Sequence, residues 1–120
     1  MKTLHNGQVL TIKFTDEADR QLEGLKEEHA NEPDAFAQLQ RMLERLGDMG
    51  KLQSPNQWRH EFDSIYAVKA KRGLRAYGKR YGHDFVVAYC TRKKNDKMGR
   101  ALTNAVKKAF EKLDVELKQE

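Results

Sequence analysis

Hydrophobic positions along this chain change period several times, and each change marks an element. Gln8-Val9-Leu10-Thr11-Ile12-Lys13-Phe14 alternates, with Leu10, Ile12 and Phe14 on one face, and predicts a strand over 8–14. Thr15 follows as an N-cap, with Asp16, Glu17 and Asp19 in a first turn where acids suit the helix dipole. Ala18, Leu22 and Leu25 recur at helical spacing and predict an amphipathic helix over 16–28. Pro33 is placed to start a second helix with Phe36, Leu39, Leu43 and Leu46 as its stripe, Met42 beside it and Gly47 as its C-cap. The short link between the two helices predicts an antiparallel pair. Residues 47–60 read as a loop that carries Trp58 as a packing anchor. Strands are expected over 62–70, 74–80 and 85–91, and a closing helix over 100–117 with Ala101, Ala105, Phe110, Leu113 and Leu117 at near-helical spacing. The order β-α-α-β-β-β-α predicts a single α+β domain, with a mainly antiparallel sheet of about four strands and its helices on one face.

Turn chemistry sharpens the strand registers. Lys71-Arg72-Gly73 suits a three-residue hairpin loop with Gly73 in the left-handed conformation. That register sets Ala70 against Leu74, Val68 against Ala76 and Tyr66 against Gly78 on an apolar face, and Lys69 against Arg75 and Ala67 against Tyr77 on the other. A two-residue loop at Gly82-His83 then sets Tyr77 against Ala88 and Arg75 against Cys90, with Phe85, Val87 and Tyr89 toward the core. Arg92 is expected on the side of Arg75. Lys69, Arg75, Tyr77, Lys79 and Arg92 are therefore expected on one open sheet face, with Lys71 and Arg72 at its rim and Lys93, Lys94 and Lys97 extending it.

The charge distribution strengthens that picture. Residues 1–60 carry a net −2, residues 61–100 a net +7 and residues 101–120 a net of zero, within a total of +5. Crowding cations on one face opposes folding, whereas it suits a polyanion whose phosphates release counterions on binding. Tyr77 among these cations is a candidate to stack on a base. The one cysteine, Cys90, rules out an intramolecular disulfide and any Cys/His zinc pattern, so no metal or cofactor is expected. The N-terminus lacks an apolar signal segment and no run approaches the roughly 20 apolar residues of a membrane helix, so a cytoplasmic protein without membrane contact is expected.

The run Tyr66-Ala67-Val68-Lys69-Ala70-Lys71-Arg72-Gly73-Leu74-Arg75-Ala76-Tyr77, then Phe85-Val86-Val87-Ala88-Tyr89, then Arg92-Lys93-Lys94 with Lys97, resembles the RelE/HigB branch of the RelE/ParE toxin superfamily of type II toxin–antitoxin modules. The resemblance covers about residues 60–113. It implies a RelE-like fold, ribosome-dependent and metal-independent cleavage of mRNA, and neutralisation by a cognate antitoxin protein. By position, Lys69 and Lys71 (or Arg72) match the family's basic pair, Arg75 its arginine on the next strand, and Arg92 with Lys93 and Lys94 its basic strand end. Lys69, Lys71, Arg75 and Arg92 are thus the expected catalytic residues, and Arg72, Tyr77, Lys79, Lys93, Lys94 and Lys97 the expected RNA contacts.

Cleavage of RNA by its own 2′-hydroxyl needs a base, stabilisation of charge at phosphorus and protonation of the leaving oxygen. Arg75 and Arg92 suit the second task and cannot act as bases, which leaves Lys69 or Lys71 for the first. The chain departs from those family members that place a C-terminal Tyr or His near the site, because residues 93–120 contain neither. Tyr77 and His83 are the candidates to stand in for it, with His83 expected at a hairpin tip, and His5, His29 and His60 are scattered and suggest no metal site. The alternatives are a ParE-type toxin that inhibits DNA gyrase without nuclease activity, and an inactive nucleic-acid-binding protein of the same fold.

Overall fold

The computed structural model describes residues 1–93 and 99–119. Its elements are β1 (Lys2–Asn6), β2 (Thr11–Phe14), α1 (Asp16–Glu28), α2 (Pro33–Met49), β3 (Trp58–Phe62), β4 (Ile65–Lys69), a 3-10 turn (Lys71–Gly73), β5 (Leu74–Tyr81), β6 (Asp84–Arg92) and α3 (Arg100–Lys118). The α+β class expected from the sequence holds, but the sheet is larger. It has six strands in the order β1-β2-β6-β5-β4-β3, all neighbours antiparallel except β2 with β6.

Local signals set the helices. Thr15 Oγ1 accepts a bond from the Ala18 N–H at 3.1 Å, and Asp16, Glu17 and Asp19 occupy the first turn of α1. Helix α2 starts at Pro33 and passes through Gly47 to end at Gly50, whose φ of 80° is the left-handed C-cap geometry. Gly47 is therefore not the cap. It is buried, and its carbonyl accepts the N–H groups of Val9 and Leu10 at 2.9 and 2.8 Å, which ties the β1–β2 turn to α2.

Two strands lie where none was expected. β1 is a mostly polar edge strand ahead of the predicted one, which itself begins at Thr11 rather than residue 8. β3 forms within the expected loop, and the expected strand 62–70 is broken at Asp63-Ser64 into a hairpin. Trp58 packs there in a stack on Tyr66, 4.5 Å between centroids and 15° between planes.

The helices cover both sheet faces, not one. α1 and α2 bury Ile12, Phe14, Val68, Leu74, Ala76, Phe85, Val87 and Cys90 in one core. On the opposite face α3 sets Val106, Phe110 and Leu113 against Ile65, Ala67, Tyr77, Val86 and Ala88. The physical reason is that Phe85-Val86-Val87-Ala88-Tyr89 is apolar on both sides of the pleat, so both sides must be covered. Cys90 lies at the base of the first core, and burial, with the charge of Asp19 adding, pushes its thiol far above the usual range. Native Cys90 is thus expected to resist iodoacetamide at neutral pH and to react once urea unfolds the chain; ready alkylation of the native protein would contradict this packing.

Candidate nucleic-acid interface

The expected register of the β4–β5 hairpin is observed: Tyr66 faces Gly78, Val68 faces Ala76 and Lys69 faces Arg75. In the turn, Arg72 as well as Gly73 takes positive φ, 59° and 78°, and the Leu74 N–H bonds back to the Lys71 carbonyl. The Lys71 N–H donates to Gln38 Oε1 of α2 at 2.7 Å, and the Lys93 N–H donates to the Gly73 carbonyl at 2.7 Å. The turn, the end of β6 and the first half of α2 are thereby sewn together. Lys69, Lys71, Arg72, Arg75, Arg92 and Lys93 all gather at this one end of the sheet.

They do not share one open face. Between Tyr77-Gly78 and the facing strand, β6 carries an extra residue, Ala88, so that Gly78 faces Val87 while Tyr77 faces Tyr89. Such a bulge reverses the side-chain alternation beyond it. Arg75 therefore faces Thr91 rather than Cys90, and Arg92 faces Leu74 and turns to the α1/α2 side. Tyr89 moves the other way, onto the α3 side with Tyr77. It sits one step diagonally from Arg75, within reach across the ladder, and its placement was missed because nothing in the local sequence announces the bulge.

Tyr77 is 1% exposed, 6.4 Å from the Tyr89 ring, and burial, with Glu61 adding, pushes its phenol up to about 12. It is a core residue and offers no surface for stacking on a base, contrary to the expectation. Lys79 is also displaced from the site. It lies four residues beyond Arg75, about 13 Å along the strand, with its Nζ 3.8 Å from Asp114 and 5.2 Å from the centre of the Tyr81 ring. Lys94 and Lys97 fall outside the described residues.

What remains is a buried pair and a rim. Lys69 and Arg75 are 9% and 6% exposed and directly opposite each other. Like charges opposed across a ladder repel, while Arg75 Nη1 donates to the Leu74 carbonyl at 3.5 Å. On the rim, Lys71 and Arg72 are exposed or half-exposed and Lys93 is half-buried. Arg72 Nε lies 3.5 Å from Asp34 Oδ1, and Arg92 Nη2 donates to Glu32 Oε1 at 3.1 Å. Desolvation raises the Asp34 carboxyl, but the charge and hydrogen bond of Arg72, with Lys71 behind them, outweigh it and hold the group below its usual range. Glu32, Asp34 and Gln38 belong to this site, and no local pattern places them there. They reach it from the start of helix α2 and the residue before it, more than 30 residues away along the chain.

No family model, no curated protein and no solved structure matches this chain. Among the described residues, no three His, Cys, Asp or Glu side chains are placed to hold a metal ion, and no helix is long and apolar enough to cross a membrane.

Proposed function

We propose that the protein grips RNA phosphates at the basic end of its sheet, and that it does so as a RelE/HigB-like toxin of a type II toxin–antitoxin module. In this reading it is a metal-independent, ribosome-dependent mRNA endoribonuclease held in check by a cognate antitoxin. The observation that carries the proposal is the opposed pair Lys69 and Arg75, joined at the rim by Lys71, Arg72, Arg92 and Lys93. Cations crowded this closely repel one another, and an in-line attack at phosphorus is served by fixed positive charge around the equatorial oxygens. Arg75 would stabilise that charge, Lys69 would accept the 2′-proton, and the ribosome would align the message.

The test is to induce the protein in bacteria and map mRNA ends. Cleavage at the ribosomal A site, lost in Lys69→Ala and Arg75→Ala, is expected; intact mRNA and normal growth with folded protein would reject the enzymatic reading. One observation favours a second reading, RNA binding without cleavage: Arg72 and Arg92 already hold carboxylates, which leaves fewer free cations for a transition state. The two readings share a binding prediction. Lys71→Ala should weaken oligonucleotide binding and lower the salt slope by about 0.7, the contribution of one phosphate contact on a single strand. An unchanged slope would remove Lys71 from the interface.

A further inference from the structure

The α1–α2 turn carries two acids onto the basic end of the sheet. Glu32 precedes the first residue of α2 and Asp34 follows it, so both sit where the helix dipole favours negative charge. Each reaches a different arginine. Asp34 pairs with Arg72 on the β4–β5 turn, and Glu32 bonds Arg92 at the end of β6. These are two of the cations that the proposed function assigns to phosphate. Carboxylate and phosphate are the two oxyanions that a guanidinium fork binds best, so each acid occupies ground a phosphate would need.

The fit at Arg92 is incomplete. Glu32 engages Nη2 alone, and Arg92 Nε is buried with no hydrogen-bond partner among the described residues. The other Glu32 oxygen lies 3.9 Å from His29 Nδ1, and Glu32 Oε1 to Arg92 Nη2 is the one hydrogen bond between this pair among the described residues. A phosphate at this position could take both Nε and Nη2. Glu32 therefore uses one side of the guanidinium fork and leaves Nε without a bond.

We propose that Glu32 and Asp34 form a built-in anionic competitor, which a polyanion must displace from Arg92 and Arg72 to occupy the basic end. The inference rests on the polyanion-binding part of the proposed function. It makes the α1–α2 turn a determinant of affinity. It also accounts for one cost of the arrangement, since the competitor quiets the repulsion among the cations when no ligand is bound.

The experiment compares the wild-type protein with Glu32→Gln/Asp34→Asn and with Glu111→Gln/Glu116→Gln. The last pair removes two exposed carboxylates from α3 and so matches the change in net charge. Binding of labelled oligouridylate and of heparin is followed across a salt series. Freeing two cations should tighten oligouridylate binding about tenfold relative to the charge-matched variant, and steepen the salt slope by about 1.4. Equal affinity and slope in the two variants would overturn the competitor while leaving RNA binding intact. If heparin binding follows the expected pattern but oligouridylate does not bind, the competitor stands and RNA is the wrong polyanion. If no variant binds either probe, both ideas fail. Asp34→Asn alone, at a half-exposed position, covers the case in which the double variant does not fold. It should show a smaller shift in the same direction, and no shift would count against the proposal.

Discussion

Replacing Lys69 by methionine should stabilise the protein by about 1–3 kcal/mol and weaken the proposed binding of RNA about tenfold. The two effects have one origin. Lys69 is 9% exposed and directly opposite Arg75, while its neighbour on the same face, Ala67, is apolar and packed under α3. Exchanging a buried ion for an apolar side chain of similar length is commonly neutral or stabilising by up to about 4 kcal/mol, because the desolvation cost disappears and packing is kept. Here a like-charge contact disappears as well. The loss of affinity follows from removing one charged contact to phosphate, about 1.4 kcal/mol or a factor of ten. Urea denaturation and oligonucleotide titration read the two quantities separately. A destabilised variant with unchanged affinity would show that Lys69 serves the fold, and the basic end would lose its central residue.

Gly73→Ala is expected to cost about 2–4 kcal/mol. Two terms contribute. At φ 78° an alanine enters the left-handed region, at a cost of about 1–2 kcal/mol. Its Cβ would also stand 1.7 Å from the Lys93 carbonyl oxygen, so the end of β6 has to move and strains the bond from the Lys93 N–H to Gly73. That bond is worth about 1 kcal/mol. The turn holds Lys71 and Arg72 beside Arg92 and Lys93, so the proposed RNA binding should fall along with stability. The adjacent residue provides an internal contrast. Arg72 is non-glycine at φ 59°, so Arg72→Gly relieves strain of about 1 kcal/mol and should stabilise the fold even as it removes a cation. A Gly73→Ala variant within about 0.5 kcal/mol of wild type would mean that the turn yields easily and does not organise the site.

Some of this architecture is legible without coordinates. The limits of α1 follow from Thr15, the acids after it and the apolar spacing, all of which act within one or two turns. The β4–β5 register follows from Gly73 and from period-two alternation, where a slip by one residue would set Lys71 opposite Leu74 and mix the two faces. The edge strands are harder to read. β1 presents mostly polar residues, and β3 is exposed at Arg59 and His60, so neither carries a strong alternation. The coverage of both faces was present in the apolar run 85–89, yet its meaning depended on where α3 came to rest.

By itself, the sequence determined that positive charge is concentrated between residues 61 and 100, that Lys69 and Arg75 are cross-strand partners, and where α1 begins and ends. These depend on neighbours in the chain or on a single tight turn. Only the tertiary structure decided which cations share a surface. One extra residue at Ala88 turned Arg92 away from Arg75, the stripe of α3 buried Tyr77, and Glu32 arrived from 60 residues away to hold Arg92. Each of these outcomes was set by contacts between distant segments, and a local pattern holds no record of the partner it will meet.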